Sequence, residues 1–277
     1  MCYSAIIEKD LATLSKNFSA TLDLDAYLEL EKTASCSSKP YKTADSFARI
    51  YPAYFAPIVR KKNNSNVISP MRYSAYPPSY FSAKKAQTLT TYNARYESLL
   101  TRFWSESFGH HHGIIVIREF FEWLTVRDLI ADNKISLTAI KEHFALQKQK
   151  RREKWLAGGR SLKSFRETVT EKKNPEERNI IVSFRPDPQQ LLLVPVVYSK
   201  SQKDSTRGFA IITDQATKNI LQAGHERMPF CISPDYVDQW LHPKSWSLTD
   251  IHKSLRACCS SVRFQYSLEF IRELGWK

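Results

Sequence analysis

The run Ile114 to Trp123, IIVIREFFEW, constrains this chain more than any other stretch. It is β-branched, aromatic and continuous, the pattern of a strand. It also carries two carboxylates, Glu119 and Glu122, on opposite faces of that strand. One of them is therefore directed where the other is not.

Further strand patterns follow in the second half. Asn179 to Phe184 and Gln190 to Tyr198 are runs of this kind, and LLLVPVVY reads as a buried strand interrupted at Pro195. Gly208 to Thr213, GFAIIT, is another. In the first half, Tyr51 to Arg60 looks extended, with two prolines that keep it out of a central strand. Val67 to Pro78 is extended as well.

Helical patterns cover Asp10 to Phe18 and Leu22 to Glu31, the latter with Leu22, Leu24, Tyr27, Leu28 and Leu30 mostly on one side. LTAIKEHFALQKQKRREKWLA, from Leu137, is helical and very basic, and Gly158-Gly159 ends it. The charged run EKKNPEER, Glu171 to Arg178, reads as a loop. Ala216 to Gln222 is a short helix, and Ala223 to Ile232 is a turn leading into a strand. Ser233 caps a helix with Pro234 at its first position, running to about Leu241. The remainder is weakly patterned, with a final strand and short helix over Phe264 to Lys277.

Charge narrows the partners. Lys and Arg number 41 against 28 Asp and Glu, a net of +13. A surface this basic meets nucleic acid or an anionic membrane. No run reaches transmembrane length and no apolar leader follows the start, so nucleic acid is favoured and no membrane is expected. The five cysteines, Cys2, Cys36, Cys231, Cys258 and Cys259, are odd in number and lack a CxxC spacing. That argues against a disulfide framework and a zinc site, and fits a reducing cytosol. His110-His111-His112 reads as a loop, since adjacent histidines on a regular element do not converge on one ion. Cys258-Cys259 read as packing residues. No metal or cofactor is expected.

The first residues carry distinct chemistry. Removal of Met1 leaves Cys2 with an α-amine titrating at about 7.7–8.0 beside a thiol at about 8.5. Such a pair condenses with an aldehyde to an imine, which closes intramolecularly to a five-membered thiazolidine. The alternative is a small second residue in a frayed terminus.

Read in order, Cys2, Asn93-Ala94-Arg95-Tyr96-Glu97, Phe120-Phe121-Glu122-Trp123 and His225-Glu226-Arg227-Met228-Pro229 resemble the SRAP (SOS-response-associated peptidase) family. Tyr54 to Pro57, Met71-Arg72-Tyr73 and Gly208 to Thr217 look like weaker members of the same set. The resemblance covers most of the chain outside roughly residues 125–178. It departs at Tyr3-Ser4, where the family has a small residue and then arginine, and at Tyr73-Ser74, where it has tryptophan and glycine. The segment between Trp123 and Asn179 is longer and more basic than in the family.

The resemblance implies covalent attachment to abasic sites in single-stranded DNA through Cys2, as a thiazolidine. It places Cys2, Asn93, Glu122 and His225 in the catalytic set, and Arg95, Arg227, Pro57, Arg72 and Tyr73 along the DNA. Asn93 offers an uncharged donor and acceptor to orient the sugar or amine, or else it caps a turn. Glu122 lies between Phe121 and Trp123, where burial raises a carboxyl pKa toward acid–base use; otherwise it pairs with an arginine. His225 titrates near neutrality, or is a satisfied turn histidine.

The expected architecture is α+β: one SRAP-like domain over 1–277. It has a curved, mostly antiparallel, barrel-like sheet, peripheral helices and a basic helical insert at about 125–178. A monomer in the cytoplasm, nucleoid-associated when on DNA, is expected. Two rival functions stand beside the cross-linker: a thiol peptidase cutting at least its own Met1-Cys2 bond, and a non-covalent single-stranded nucleic-acid binder.

Overall fold

The apolar run becomes β7 (His112–Thr125), fourteen residues long and buried on both faces except at Arg118, Trp123 and its last residue. A strand this long exposes backbone groups on two edges, and all of them need partners. Four strands share the task. In its first half, β9 (Leu192–Lys200) covers one edge, with Ile115 opposite Val194. There β4 (Phe55–Lys62) meets the other edge at Ile114 and Val59. In its second half, β1 (Ser4–Ile7) and β8 (Asn179–Pro186) take over, with Phe121 opposite both Ser4 and Ser183.

This computed structural model describes residues 3–35, 41–81, 89–131, 136–159, 161, 176, 179–201, 206–243 and 246–268. They form a mixed α+β fold with one large curved sheet. From β7 the pairing runs through β4 and β5 (Ser65–Tyr73) to β10 (Arg207–Gln215), then returns through β9 to β7, closing a ring of five strands. Pairing is mostly antiparallel; β10 runs parallel to β5 and to β6 (Asn93–Arg95), and β2 (Thr21–Leu22) runs parallel to β5. The short β3 (Arg49–Ile50) edges the sheet beyond β1, β11 (Arg227–Pro229) pairs with β10, and β12 (Phe264–Leu268) pairs with β8.

Alternation on the strands splits the core in two. Ile115, Ile117 and Phe120 join Ile58, Tyr73, Val196 and Phe209 in one cluster. Ile114 and Val116 join Val59, Ile68, Val197 and Ile212 in the other. The second cluster is roofed by α1 (Leu11–Phe18), α7 (Val237–Leu241) and α8 (Leu248–Ala257), which insert Leu14, Trp240 and Ile251. A short α3 (Arg102–Ser105) adds Trp104. The first cluster receives α4 (Val126–Ala131), α5 (Leu137–Ala157) and α6 (Lys218–Gln222) through Leu129, Phe144 and Ile220. No helix among the described residues is long and apolar enough to cross a membrane.

Several expectations are corrected here. Pro57 does not exclude its segment from the sheet centre: β4 lies between β5 and β7, with Pro57 opposite Pro70. Val59 pairs with β7 on the edge away from β5, and Pro57, two residues earlier, faces the same way. The β7 pairing stops at Val59, so the missing N–H has no ladder partner to lose. Likewise β9 runs unbroken through Pro195, because its pairing with β10 ends at Val196 opposite Ile211.

The leucine stripe of α2 (Leu24–Ser35) buries no residue; Leu24 and Leu28 stay 63% and 56% exposed, and Leu22 lies in β2 instead. Helix α8 falls in the stretch read as weakly patterned, although Ser247 caps it by accepting from Asp250 N. His112 opens β7 rather than sitting in a loop. Of Cys258-Cys259 only the first is buried. Most of Glu171 to Arg178, and the chain beyond Leu268, lie outside the described residues.

The parallel β5–β10 seam closes the ring and depends on a glycine. A Cβ on Gly208 would stand 2.2 Å from Ser74 O, a backbone atom in the bend just after β5. Gly208→Ala should therefore lower unfolding free energy by about 1–3 kcal/mol, as overpacking does, read as a lower urea midpoint at unchanged m-value.

Candidate active site

Strand β1 ties the start of the chain to the second half of β7. Tyr3 N donates to Phe121 O at 3.1 Å, and the Tyr3 ring meets Trp123 edge-on with centroids 5.5 Å apart. Arg49, on the neighbouring β3, donates from Nε and Nη2 to Ser4 Oγ at 2.9 and 2.8 Å. Its guanidinium also lies 3.7 Å from the Phe121 ring centroid. Cys2 lies outside the described residues.

Glu122 sits beside this junction, 4% exposed, opposite Val182 of β8. Loss of solvent disfavours its charged form and pushes the carboxyl up to about 8. The expected arginine partner belongs instead to the other acid of the strand: Arg185 Nε reaches Glu119 Oε2 at 3.1 Å.

His225 comes to Glu122 from a tight turn. Gly224 precedes it at φ +93°, and a Cβ there would stand 2.6 Å from the Asp128 Cβ of α4, so glycine is required twice over. The His225 Nδ1 lies 2.7 Å from Arg227 O. A carbonyl only accepts, so Nδ1 carries the hydrogen and Nε2 keeps its lone pair. The contact from Arg227 N to the same Nδ1, at 3.3 Å, would need the opposite tautomer and is the weaker of the two. Nε2 faces Glu122 Oε2 at 3.5 Å. Burial disfavours the imidazolium and lowers His225 to about 4. The expectation of a histidine titrating near neutrality is thereby corrected. Burial thus pushes both groups toward their uncharged forms, the acid upward and the imidazole downward.

Asn93 is buried on β6, opposite Ile211 of β10. Two residues on, Arg95 is exposed. Arg227 is held within the fold: its guanidinium donates to both carboxylate oxygens of Glu97 at 2.6 and 3.0 Å and to Thr213 O at 2.9 Å. This bridge fastens the Asn93 segment to the His225 turn across β10. Arg72 is half-buried, reaching Ser74 O at 3.4 Å, and Pro57 is half-buried in β4. Tyr73 is fully buried, stacked on Phe209 at 5.1 Å, which corrects its assignment to a DNA-facing surface.

Sequence reasoning missed Arg49, which carries no local signal because its partner lies 45 residues away. It also missed the role of His112, whose ring stacks on Trp240 at 3.8 Å. His112 Nδ1 donates to Trp240 O at 2.7 Å, and its Nε2 accepts from Gly109 N at 2.9 Å. Among the described residues no group of three His, Cys, Asp or Glu is placed to hold a metal ion.

A protein-family profile described as SOS response associated peptidase (SRAP) matches residues 1–266. No curated protein matches the chain. Solved structures do. A protein from Bacteroides thetaiotaomicron is similar at TM-score 0.59 and 13% identity, over 98% of this chain and 94% of that one. One from Bordetella bronchiseptica has TM-score 0.56 and 15% identity, over 96% and 99%. A phage-related protein from the same organism has TM-score 0.54 and 13% identity, over 96% and 93%. These likenesses concern the fold.

The raised carboxyl has a consequence for stability. The folded value, about 8, lies above the ordinary 4.5, so between them the folded protein binds more protons than the unfolded chain. Stability therefore falls as pH rises through that window. Glu122→Gln keeps the shape of the protonated acid and removes the titration. Its Tm relative to wild type should rise steadily from pH 5 to pH 8, measured by thermal melts at matched ionic strength; a pH-independent difference would mean Glu122 is ionised in the fold.

Proposed function

Because the chain belongs to the SOS response associated peptidase (SRAP) family, we propose that it is an abasic-site sensor. In this reading it binds single-stranded DNA and cross-links to it through Cys2 once Met1 is removed. The observation that carries the reading is the buried Glu122–His225 pair, 3.5 Å apart, beside the point where Tyr3 is tied to β7.

The chemistry proceeds in balanced steps. The abasic sugar, a closed hemiacetal, opens to its aldehyde when its anomeric hydroxyl loses a proton and its ring oxygen gains one. Neutral His225 is suited to take the first, and protonated Glu122 to supply the second. As the Cys2 amine adds to the aldehyde carbon, the Glu122 carboxylate takes the proton the nitrogen sheds and the His225 imidazolium protonates the new oxyanion, giving a carbinolamine and restoring both groups. Departure of its hydroxyl as water needs a proton, which Glu122 delivers and then recovers from the iminium nitrogen to leave the imine. Attack of the Cys2 sulfur on the imine carbon closes the thiazolidine, the thiol proton passing to nitrogen. Asn93 orients the sugar or amine without adding charge. With Arg227 committed to Glu97, exposed Arg95 is the better candidate for a direct phosphate contact.

The thiol-peptidase reading draws on the family's description and on the same Cys, His, Glu and Asn. It requires peptide cleavage, which the cross-linker does not. Mixing purified protein with single-stranded DNA carrying one abasic site, followed by a denaturing gel, separates the readings. Wild type should give a shifted, heat-stable band, and Cys2→Ser, with its poorer ring-closing nucleophile, should lose it. A stable adduct at wild-type yield in Cys2→Ser would sink the proposal.

The rate should also follow a bell-shaped pH profile. Its acid limb reports the α-amine, near 7.7–8.0, losing a proton, and its alkaline limb reports Glu122. Glu122→Gln should be slower by about 10²-fold and lose the alkaline limb, measured by quenched gel time courses.

A further inference from the structure

Helix α5 is larger than its packing requires. Ile140 and Phe144 anchor it in the core cluster, and Ser136 caps it by accepting from Ala139 N at 3.1 Å. From Ala145 to Ala157 no residue is buried. At 1.5 Å per residue that half extends about 20 Å past its anchor. It contains Lys148, Lys150, Arg151, Arg152 and Lys154, against one carboxylate, Glu153, which is occupied by Gln149 Nε2 at 2.9 Å. Arg151, Arg152 and Lys154 form no ion pair among the described residues.

Like charges repeat at three- and four-residue spacing, as in Lys148 with Arg151 and Arg152, or Lys150 with Lys154. Such pairs oppose the helix. The helix dipole offsets only those in the last turn. Such an array is relieved by a polyanion. An anionic membrane is the poorer fit, since an interfacial helix needs a continuous apolar face and residues 147–154 contain no apolar side chain.

Helix α4, which precedes α5 in the chain, adjoins the site. Ile140 and Phe144 share their cluster with Ala223 and Met228, on either side of the His225 turn, and Gly224 abuts Asp128 of α4.

We propose that the exposed half of α5 is a second nucleic-acid contact, an arm that grips the phosphodiester backbone outside the site formed by Glu122 and His225. The proposal rests on the reading of the chain as a DNA-binding protein, but not on Cys2. Phosphate contacts supply sequence-independent affinity and register, so the arm would retain a strand whether or not it carries a lesion.

The test is the salt dependence of binding to intact, lesion-free DNA, single-stranded and duplex, by fluorescence anisotropy on the full chain. The variant is Lys150→Gln, Arg151→Gln, Arg152→Gln and Lys154→Gln together; glutamine keeps helix propensity, and circular dichroism confirms the fold. These four cations can neutralise about two to four phosphates, so without them the slope of log K against log salt should become shallower by about 1.4–2.8 on single strands or about 1.8–3.6 on duplex. A change confined to one form of DNA identifies the strand the arm holds. Cys2→Ser should leave both slopes as in wild type, so a failed cross-link and a failed arm are distinguishable. Unchanged slopes on both DNAs overturn the proposal, as does loss of binding to phosphatidylserine vesicles with DNA binding intact.

Discussion

Every backbone amide on β7 must find a partner, and that requirement organises the protein. Buried strands leave no water to satisfy stray N–H and C=O groups. Fourteen extended residues therefore recruit four other strands, two for each half. The division is what makes a site. In the first half, β9 and β4 close the five-strand ring around a core. In the second half the same strand leaves the ring and is flanked by β1 and β8. Glu122 belongs to that second half. A carboxyl is thus held on a strand whose register is fixed at several points, and a one-residue slip would turn it to the other face.

The electrostatics follow from this placement rather than from residue type. Glu119 and Glu122 are both 4% exposed, three residues apart on one strand, yet they differ in partner. Glu119 has the Arg185 guanidinium at 3.1 Å. Glu122 faces an imidazole whose charged form is disfavoured by burial. Desolvation then dominates for both members of the Glu122–His225 pair, in opposite directions: the acid holds its proton and the base does not gain one. Two groups whose pKa values are driven apart in this way are what proton-transfer chemistry near neutral pH requires.

The sequence was most legible where a single segment contains its own reason. IIVIREFFEW is apolar throughout most of its length and became β7; GFAIIT became β10; the basic helix ended at Gly158, as its glycines indicate. The readings that failed depended on a neighbour. Pro57 and Pro195 look like strand breakers until the ladder is seen to end beside each of them. The α2 leucines have the right spacing for a buried stripe, but the helix lies where nothing buries them. Tyr73 sits in an extended run that local pattern cannot orient, and the parallel pairing of β5 with β10 turned it onto Phe209. At the site, burial of Glu122 followed from its flanking aromatics. The low pKa of His225 did not, because it arises from a turn packed on α4.

Arg49 carries this dependence on distant partners furthest. The family pattern places an arginine two residues after the N-terminal cysteine, and here Ser4 stands in that position. A guanidinium is present all the same, brought from β3, with two of its donors on Ser4 Oγ and its face on Phe121. Both side chains are buried, so the hydrogen bonds are made in a medium where leaving either group unsatisfied would be costly. β1 has four residues and few backbone bonds of its own. Its alignment on β7 is therefore shared between that short ladder and the Ser4–Arg49 contact. One buried contact thus joins three neighbouring strands: Arg49 on β3 donates to Ser4 on β1 while its guanidinium lies on Phe121 of β7.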